Sequence, residues 1–189
     1  IQNAHKAYQN AVNPPLPINQ WLEIASTRLL AVIFFQRTMR RIESKTCVHF
    51  VPYNGQQRDY IKSTKKAASV NYQSPACLEY RGTVEHELLH VLGLLHEQAR
   101  PDRDNHVDIL WNNIDKVNFN KASPYEVTTF NIPYNHKSVM HYPRFAFSKN
   151  GQDTITKPKM ELGQRNGATN GDLEKIRICE NFYYFIENA

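Results

Sequence analysis

Cysteine is scarce in this chain. Cys47, Cys77 and Cys179 are the only three, and they leave the redox compartment open: one pair plus a thiol suits a secreted chain, three reduced thiols a cytosolic one. No Asn-x-Ser/Thr sequon occurs, so N-glycosylation gives no guide either. The longest apolar run, Leu29 to Phe35, falls far short of the ~20 residues that span a bilayer, and no membrane insertion is expected. No Lys/Arg run is interleaved with aromatics, so the net charge of +5 and pI of about 9.1 are not those of a nucleic-acid groove. Internal repeats, low-complexity tracts and an interdomain linker are also missing. The opening residue is Ile1 and not methionine, as expected of a fragment or processed form whose leader lies elsewhere.

What is present reads as one globular unit. With 189 residues, 41% hydrophobic and 22% charged, the chain can bury a sizeable core in a single domain. Residues 1–20 are expected to form an arm, because Asn13-Pro14-Pro15-Leu16-Pro17 cannot be helical. Residues 22–44 are predicted mostly helical. Leu29, Ile33, Met39 and Ile42 recur at roughly helical spacing, with Arg37, Arg40, Arg41 and Lys45 toward solvent. The arginine cluster, like Lys62, Lys65 and Lys66, reads as a solvated face. Cys47 to Val51 alternates as a strand, with His49 outward, and ends at Pro52 and the Asn54-Gly55 turn. Arg58 to Lys62 and Ala68 to Tyr72 are further candidate strands. Residues 100–106 are dense in charges that can pair with each other. A helix is predicted over Val107 to Val117, starting near Asp108, and another over Asp172 to Phe182, with Leu173 and Ile176 at helical spacing.

The chemistry concentrates in His86-Glu87-Leu88-Leu89-His90-Val91-Leu92-Gly93-Leu94-Leu95-His96. His86 and His90 lie four apart, about one helical turn, so both rings can leave the same face. Imidazole suits zinc, and this spacing lets two rings meet one ion. Glu87 is placed to reach a water on the metal and not the metal itself. Gly93 can take the left-handed conformation that ends a helix, after which the chain can return His96 to the same ion. Three histidines leave a coordination position open, the layout of a catalytic site. The plain alternative is an amphipathic helix that happens to carry histidines, but the added glycine and third histidine make the pattern far more specific than H-E-x-x-H. Gly82-Thr83 is predicted to begin this helix, with Thr83 as candidate N-cap.

A second stretch, Ser138-Val139-Met140-His141-Tyr142, supplies a methionine suited to an apolar floor under a metal, though a core methionine looks the same. Tyr142 offers a phenol to the metal or to a developing oxyanion. His141 is a further candidate ligand or a surface residue.

These residues resemble the astacin family of metzincin zinc endopeptidases. The resemblance rests on the block His86 to Asp104 and the methionine turn Ser138 to Tyr142. Flanking matches include Thr46 to Val51, Trp111 to Ile114, Phe145 to Gly151, Gly163-Gln164-Arg165, and Asp172 with Lys175-Ile176. It implies an α+β metzincin-like catalytic domain over residues 21–189, divided at about residue 93. A small twisted mixed sheet and two long helices would form the N-terminal half. An irregular C-terminal half would end in a helix, with the active-site cleft between the halves. It implies one zinc per chain on His86, His90 and His96, with Tyr142 as a fifth ligand that swings away to stabilise the tetrahedral intermediate. Glu87 would be general base and then acid, Met140 the floor, and Glu97 the partner of a newly formed N-terminus. Family members are secreted or membrane-tethered and made as zymogens.

The resemblance also implies a Cys47–Cys179 disulfide, with Cys179 a few residues before the family's C-terminal cysteine. The short segment Lys62 to Ala76 lacks the family's glycine-rich hairpin and its cysteine, which leaves Cys77 without that partner. Only Leu22-Glu23-Ile24 follows Trp21 before the helix, a shortened first strand. The expectation is a secreted zinc endopeptidase acting on proteins or peptides. The alternative is a zinc-binding pseudoprotease or interaction module whose cleft the lost hairpin has impaired.

Overall fold

A computed structural model describes residue 33 and residues 35–51, 80–114 and 119–187, with side chains as far as 178. The expected arm, the candidate strands over 58–62 and 68–72, and the side chains of Cys77 and Cys179 lie outside the described residues. The first helix described, α1, covers 35–43. Its inward face carries Ile42, fully buried, with Met39 and Phe35 packed on the same cluster. Arg37 and Arg40 are exposed as expected. Arg41 is not: its Nη1 donates to Glu85 Oε2 at 2.7 Å and its Nη2 to the Ala168 carbonyl at 2.8 Å. A buried carboxylate from another element draws it inward, which no periodicity on its own helix reveals. Residues 48–51 belong to no strand among the described residues, but the alternation survives: Val48 and Phe50 pack on the core while His49 is exposed.

The second helix, α2, is Arg81–Val91. It begins two residues before the expected Thr83 cap. Tyr80 is the N-cap, without a side-chain bond, and the first turn's Gly82 N–H is satisfied by the Arg165 carbonyl at 3.0 Å. A tertiary partner thus replaces the cap. Gly82 is so close to that loop that a Cβ would lie 2.2 Å from the Arg165 oxygen. Gly82→Ala is therefore expected to push the loop off the helix and to cost about 1–3 kcal/mol, the usual size of core overpacking. Thermal unfolding checks this, and an unchanged midpoint would refute the contact. The C-terminus ends as expected. Gly93 has φ +91°, Leu94 N donates to Leu89 O at 2.9 Å and Gly93 N to His90 O at 3.0 Å. These are the paired bonds of a left-handed helix stop.

Over its described residues, 107–114, the helix predicted for Val107 to Val117 does not form. Strand β1, Asp108–Ile109, pairs antiparallel with β2, Ile155–Thr156, in the register Asp108 to Thr156 and Ile109 to Ile155. A 3-10 turn at Trp111–Asn113 follows, and Ile114 bridges to Ser148. Val107, Ile114 and Ile155 are buried with Phe119, Tyr134 and Leu162, so burial against this second cluster outweighs local helical spacing. The charged loop before it pairs as expected. Arg100 forks onto both oxygens of Asp102 at 2.9 and 2.7 Å, and Asp104 receives Arg103 at 2.9 Å and Lys121 at 2.7 Å. The Arg100 guanidinium holds the Asp102 carboxyl below the usual carboxylate range.

The C-terminal helix α3 is Asn170–Glu187, longer at both ends than predicted. Thr169 and Asp172 cap it reciprocally: Asp172 N donates to Thr169 Oγ1 at 3.2 Å, and Thr169 N to Asp172 Oδ2 at 2.8 Å. Leu173 and Ile176 enter the main cluster beside Ile42, Leu88, Leu89, Leu94, Val139 and Met140. The zinc-motif helix, the methionine turn and the C-terminal helix therefore share one core. No described helix is long and apolar enough to cross a membrane.

Candidate metal centre

His86 and His90 leave α2 one turn apart, their ring centroids 4.6 Å from each other. After the reversal at Gly93, His96 returns with its ring 4.5 Å from His90 and 5.2 Å from His86. The His90 Nε2 lies 3.1 Å from His86 Nε2 and 3.2 Å from His96 Nε2. A tetrahedral zinc with bonds of 2.0–2.1 Å holds its nitrogens about 3.3 Å apart, so the cluster fits that ion. The outer nitrogens agree. His86 Nδ1 lies 2.8 Å from the Val139 carbonyl and His90 Nδ1 2.8 Å from the Leu94 carbonyl. A carbonyl only accepts, so each Nδ1 carries the proton and each Nε2 lone pair faces the centre. Burial lowers the pKa of His86 to about 4, and burial followed by the charge of His90 lowers that of His96 to about 3. The His86 and His96 rings are thus in the neutral form a metal needs. Among the described residues, these three form the only group of His, Cys, Asp and Glu so arranged.

Glu87 is half-buried beside His86 and is not in that group. Its charge raises the pKa of Arg165, against a larger lowering by burial. Tyr142 lies with its ring 4.5 Å from His96. Phe147 and Phe119 wall its other sides at 5.4 and 5.8 Å. Burial raises its pKa, so the phenol keeps its proton at neutral pH. Met140 is buried in the core that underlies α2, and its carbonyl accepts from Glu97 N at 3.0 Å. His141 is neither ligand nor surface residue. It is fully buried, its Nδ1 faces the Tyr142 carbonyl and its Nε2 the Tyr134 hydroxyl, both at 2.8 Å, so both ring nitrogens are engaged away from the histidine cluster.

The N-terminal residues expected against Glu97 lie outside the described residues. Among the described residues, the partners of the Glu97 carboxylate are Lys175 Nζ, Arg100 Nη1 at 3.2 Å and Asn135 N at 2.9 Å. Sequence reading also misses the framework around the site. Gln98 Oε1 accepts from Tyr142 N at 3.0 Å. Arg165 Nη1 reaches the Val139 carbonyl that His86 also uses, at 3.1 Å. Asp172 receives Ser138 Oγ at 2.5 Å and Val139 N at 3.2 Å. Arg165 and Asp172 stand in segments that match the family, but no local spacing marks either as part of a site.

An H-E-x-x-H helix, a third histidine returned by a glycine stop, and a buried methionine turn in an α+β domain together define a zinc-peptidase type of centre. The chain belongs to the astacin family: the profile of the Astacin peptidase family matches residues 23–180. It is 36% identical over 169 residues to High choriolytic enzyme 1 of Oryzias latipes, covering 79% of this chain and 61% of that protein. It is 34% identical over 198 residues to Zinc metalloproteinase nas-7 of Caenorhabditis elegans, covering 96% of this chain and 50% of the relative. The chain thus spans between half and two thirds of the length of these relatives. The solved structure of High choriolytic enzyme 1, a hatching enzyme zinc-protease, superposes with a TM-score of 0.71 at 36% identity, over 79% of this chain and 82% of that one.

Proposed function

We propose that this chain is a zinc endopeptidase that hydrolyses peptide bonds within protein or peptide substrates, with His86, His90 and His96 holding the ion. The observation that carries the reading is the convergence of three histidines, with His90 Nε2 3.1 Å from His86 Nε2 and 3.2 Å from His96 Nε2, beside a carboxylate, Glu87, that is not one of them. Zinc, when bound, supplies Lewis acidity and lowers the pKa of water toward ~7. Glu87 takes the proton of the attacking water and returns it to the leaving amine. Tyr142, whose phenol is protonated at neutral pH, would donate its hydroxyl to the oxyanion of the tetrahedral carbon, and its side chain would be a further ligand for the ion. Secretion is part of the same proposal and rests on the family resemblance.

Removal of the metal tests the reading. Treatment with o-phenanthroline is expected to abolish cleavage of a denatured protein substrate, and added zinc to restore it at about one ion per chain. Cleavage that continues without metal overturns the proposal, as does tight zinc binding with no cleavage of any unfolded protein. Tyr142→Phe isolates the phenol. It is expected to lower kcat by up to about 10²-fold with KM nearly unchanged, because the hydroxyl acts on charge that develops only in the transition state. Steady-state kinetics decide, and an unchanged kcat removes Tyr142 from the mechanism.

A further inference from the structure

The three candidate ligands are not held alike. His86 and His90 each have a ring nitrogen bonded to a carbonyl. His96 has no such bond to any described residue, and the rings it meets among the described residues are those of the other two histidines and Tyr142. The placement of His96 therefore depends on its backbone, and the next residue, Glu97, is where that backbone is tied down. Glu97 is 1% exposed. Its N–H donates to the Met140 carbonyl, and its carboxylate receives Asn135 N, Arg100 Nη1 and Lys175 Nζ.

Arg100 and Lys175 play different parts. Arg100 is three residues from Glu97 and is also forked onto Asp102, so it balances charge within one segment. Lys175 comes from α3 and is itself buried, at 8% exposure. It stands one helical turn after Asp172 on the same face. Asp172 grips Ser138 and Val139 of the methionine turn. One face of α3 thus presents a carboxylate to the turn whose Val139 carbonyl orients His86, and an ammonium to the residue that follows His96. Taking an ammonium out of water is costly, and the Glu97 carboxylate is the partner that offsets it here. The buried charge is directional where an apolar side chain is not: it fixes Glu97 relative to α3.

We infer that Lys175 is a positioning residue of the metal centre, its buried ammonium holding Glu97 so that His96 meets His86 and His90 in register. The inference rests on the proposed reading of His96 as a zinc ligand. Removing a group that supports metal ligands from outside typically costs 10–100-fold in metal affinity. Lys175→Met in the whole chain is expected to raise the zinc Kd by about 10–100-fold in competition with a chelator, and Lys175→Arg, which keeps the charge, to restore most of the loss. Unfolding of the metal-free proteins, followed in parallel, separates positioning from bulk stability. A Lys175→Met protein that melts earlier but binds zinc as tightly as wild type overturns the inference. The double variant Glu97→Gln/Lys175→Met leaves no unbalanced buried carboxylate, so it remains informative if the single variant does not fold. A wild-type Kd in the double variant also overturns the inference, and a raised one supports it. His96→Ala in the same titration separates the two levels: unchanged affinity there refutes the metal-centre reading itself, whatever Lys175 does.

Discussion

Replacing Glu87 by alanine is expected to lower kcat/KM by about 10²–10⁴-fold while the chain still holds its zinc. That loss corresponds to about 2.7–5.4 kcal/mol of transition-state stabilisation. The separation of the two effects follows from geometry. Glu87 adjoins His86 on α2, but its carboxylate is not in the cluster of ligand atoms. Removing it leaves three imidazoles whose tautomers are set by Val139 and Leu94 for the first two. The hydrogen-bonded ends of α2 do not involve the Glu87 side chain, and Glu87 is half-buried and outside the main core cluster, so folding is expected to persist. Metal analysis and cleavage of an unfolded protein, run on the same preparations, check it. Full activity in the variant removes Glu87 as the base, and loss of zinc along with activity makes it a ligand or a structural residue.

The second large effect concerns stability. Arg41→Ala is expected to destabilise the fold by about 3 kcal/mol, the lower end of the cost of breaking a buried ion pair. Glu85 has no exposed side-chain surface, and its Oε2 takes Arg41 Nη1 at 2.7 Å together with Ala168 N. Its Oε1 has no hydrogen-bond partner among the described residues, only Arg81 Nε at 3.5 Å. Without Arg41 the carboxylate keeps that half-exposed neighbour and the Ala168 amide, which is why the lower end applies. For a chain of this size the midpoint should fall by roughly 6–12 °C. The pair Arg41→Met/Glu85→Leu should recover most of the loss, because two buried charges are exchanged for apolar packing. Thermal melts of both proteins test the account, and a double variant no better than the single one contradicts it. The consequence reaches the site: Arg41 and Glu85 clamp both sides of the Ala168 peptide, three residues beyond Arg165, whose guanidinium shares the Val139 carbonyl with His86.

The parts of the site legible in the sequence are those made by neighbours along the chain. Histidines at four-residue spacing share a helical face whatever surrounds the helix. A glycine at φ +91° stops it because other residues resist that conformation. The 100–106 loop pairs its own charges because they lie one to four residues apart. The start of α2 is not legible for the complementary reason: the Arg165 carbonyl, 83 residues from Gly82, fills the role that local spacing gives to Thr83.

By itself, then, the sequence determined the shared face of His86 and His90, the glycine stop and the inward face of the C-terminal helix, which depend on local periodicity and backbone preference, while the roles of His96, Glu87 and the methionine turn were legible through the motif and the family resemblance. Only the tertiary structure decided that Asp108–Ile109 is strand, that His141 is buried and held by Tyr134, that Arg41 serves Glu85, and that Lys175 closes on Glu97. Each of these depends on a partner 7 to 78 residues away. A buried charge or polar ring takes its place from whichever group satisfies it, and not from the residues beside it in the chain.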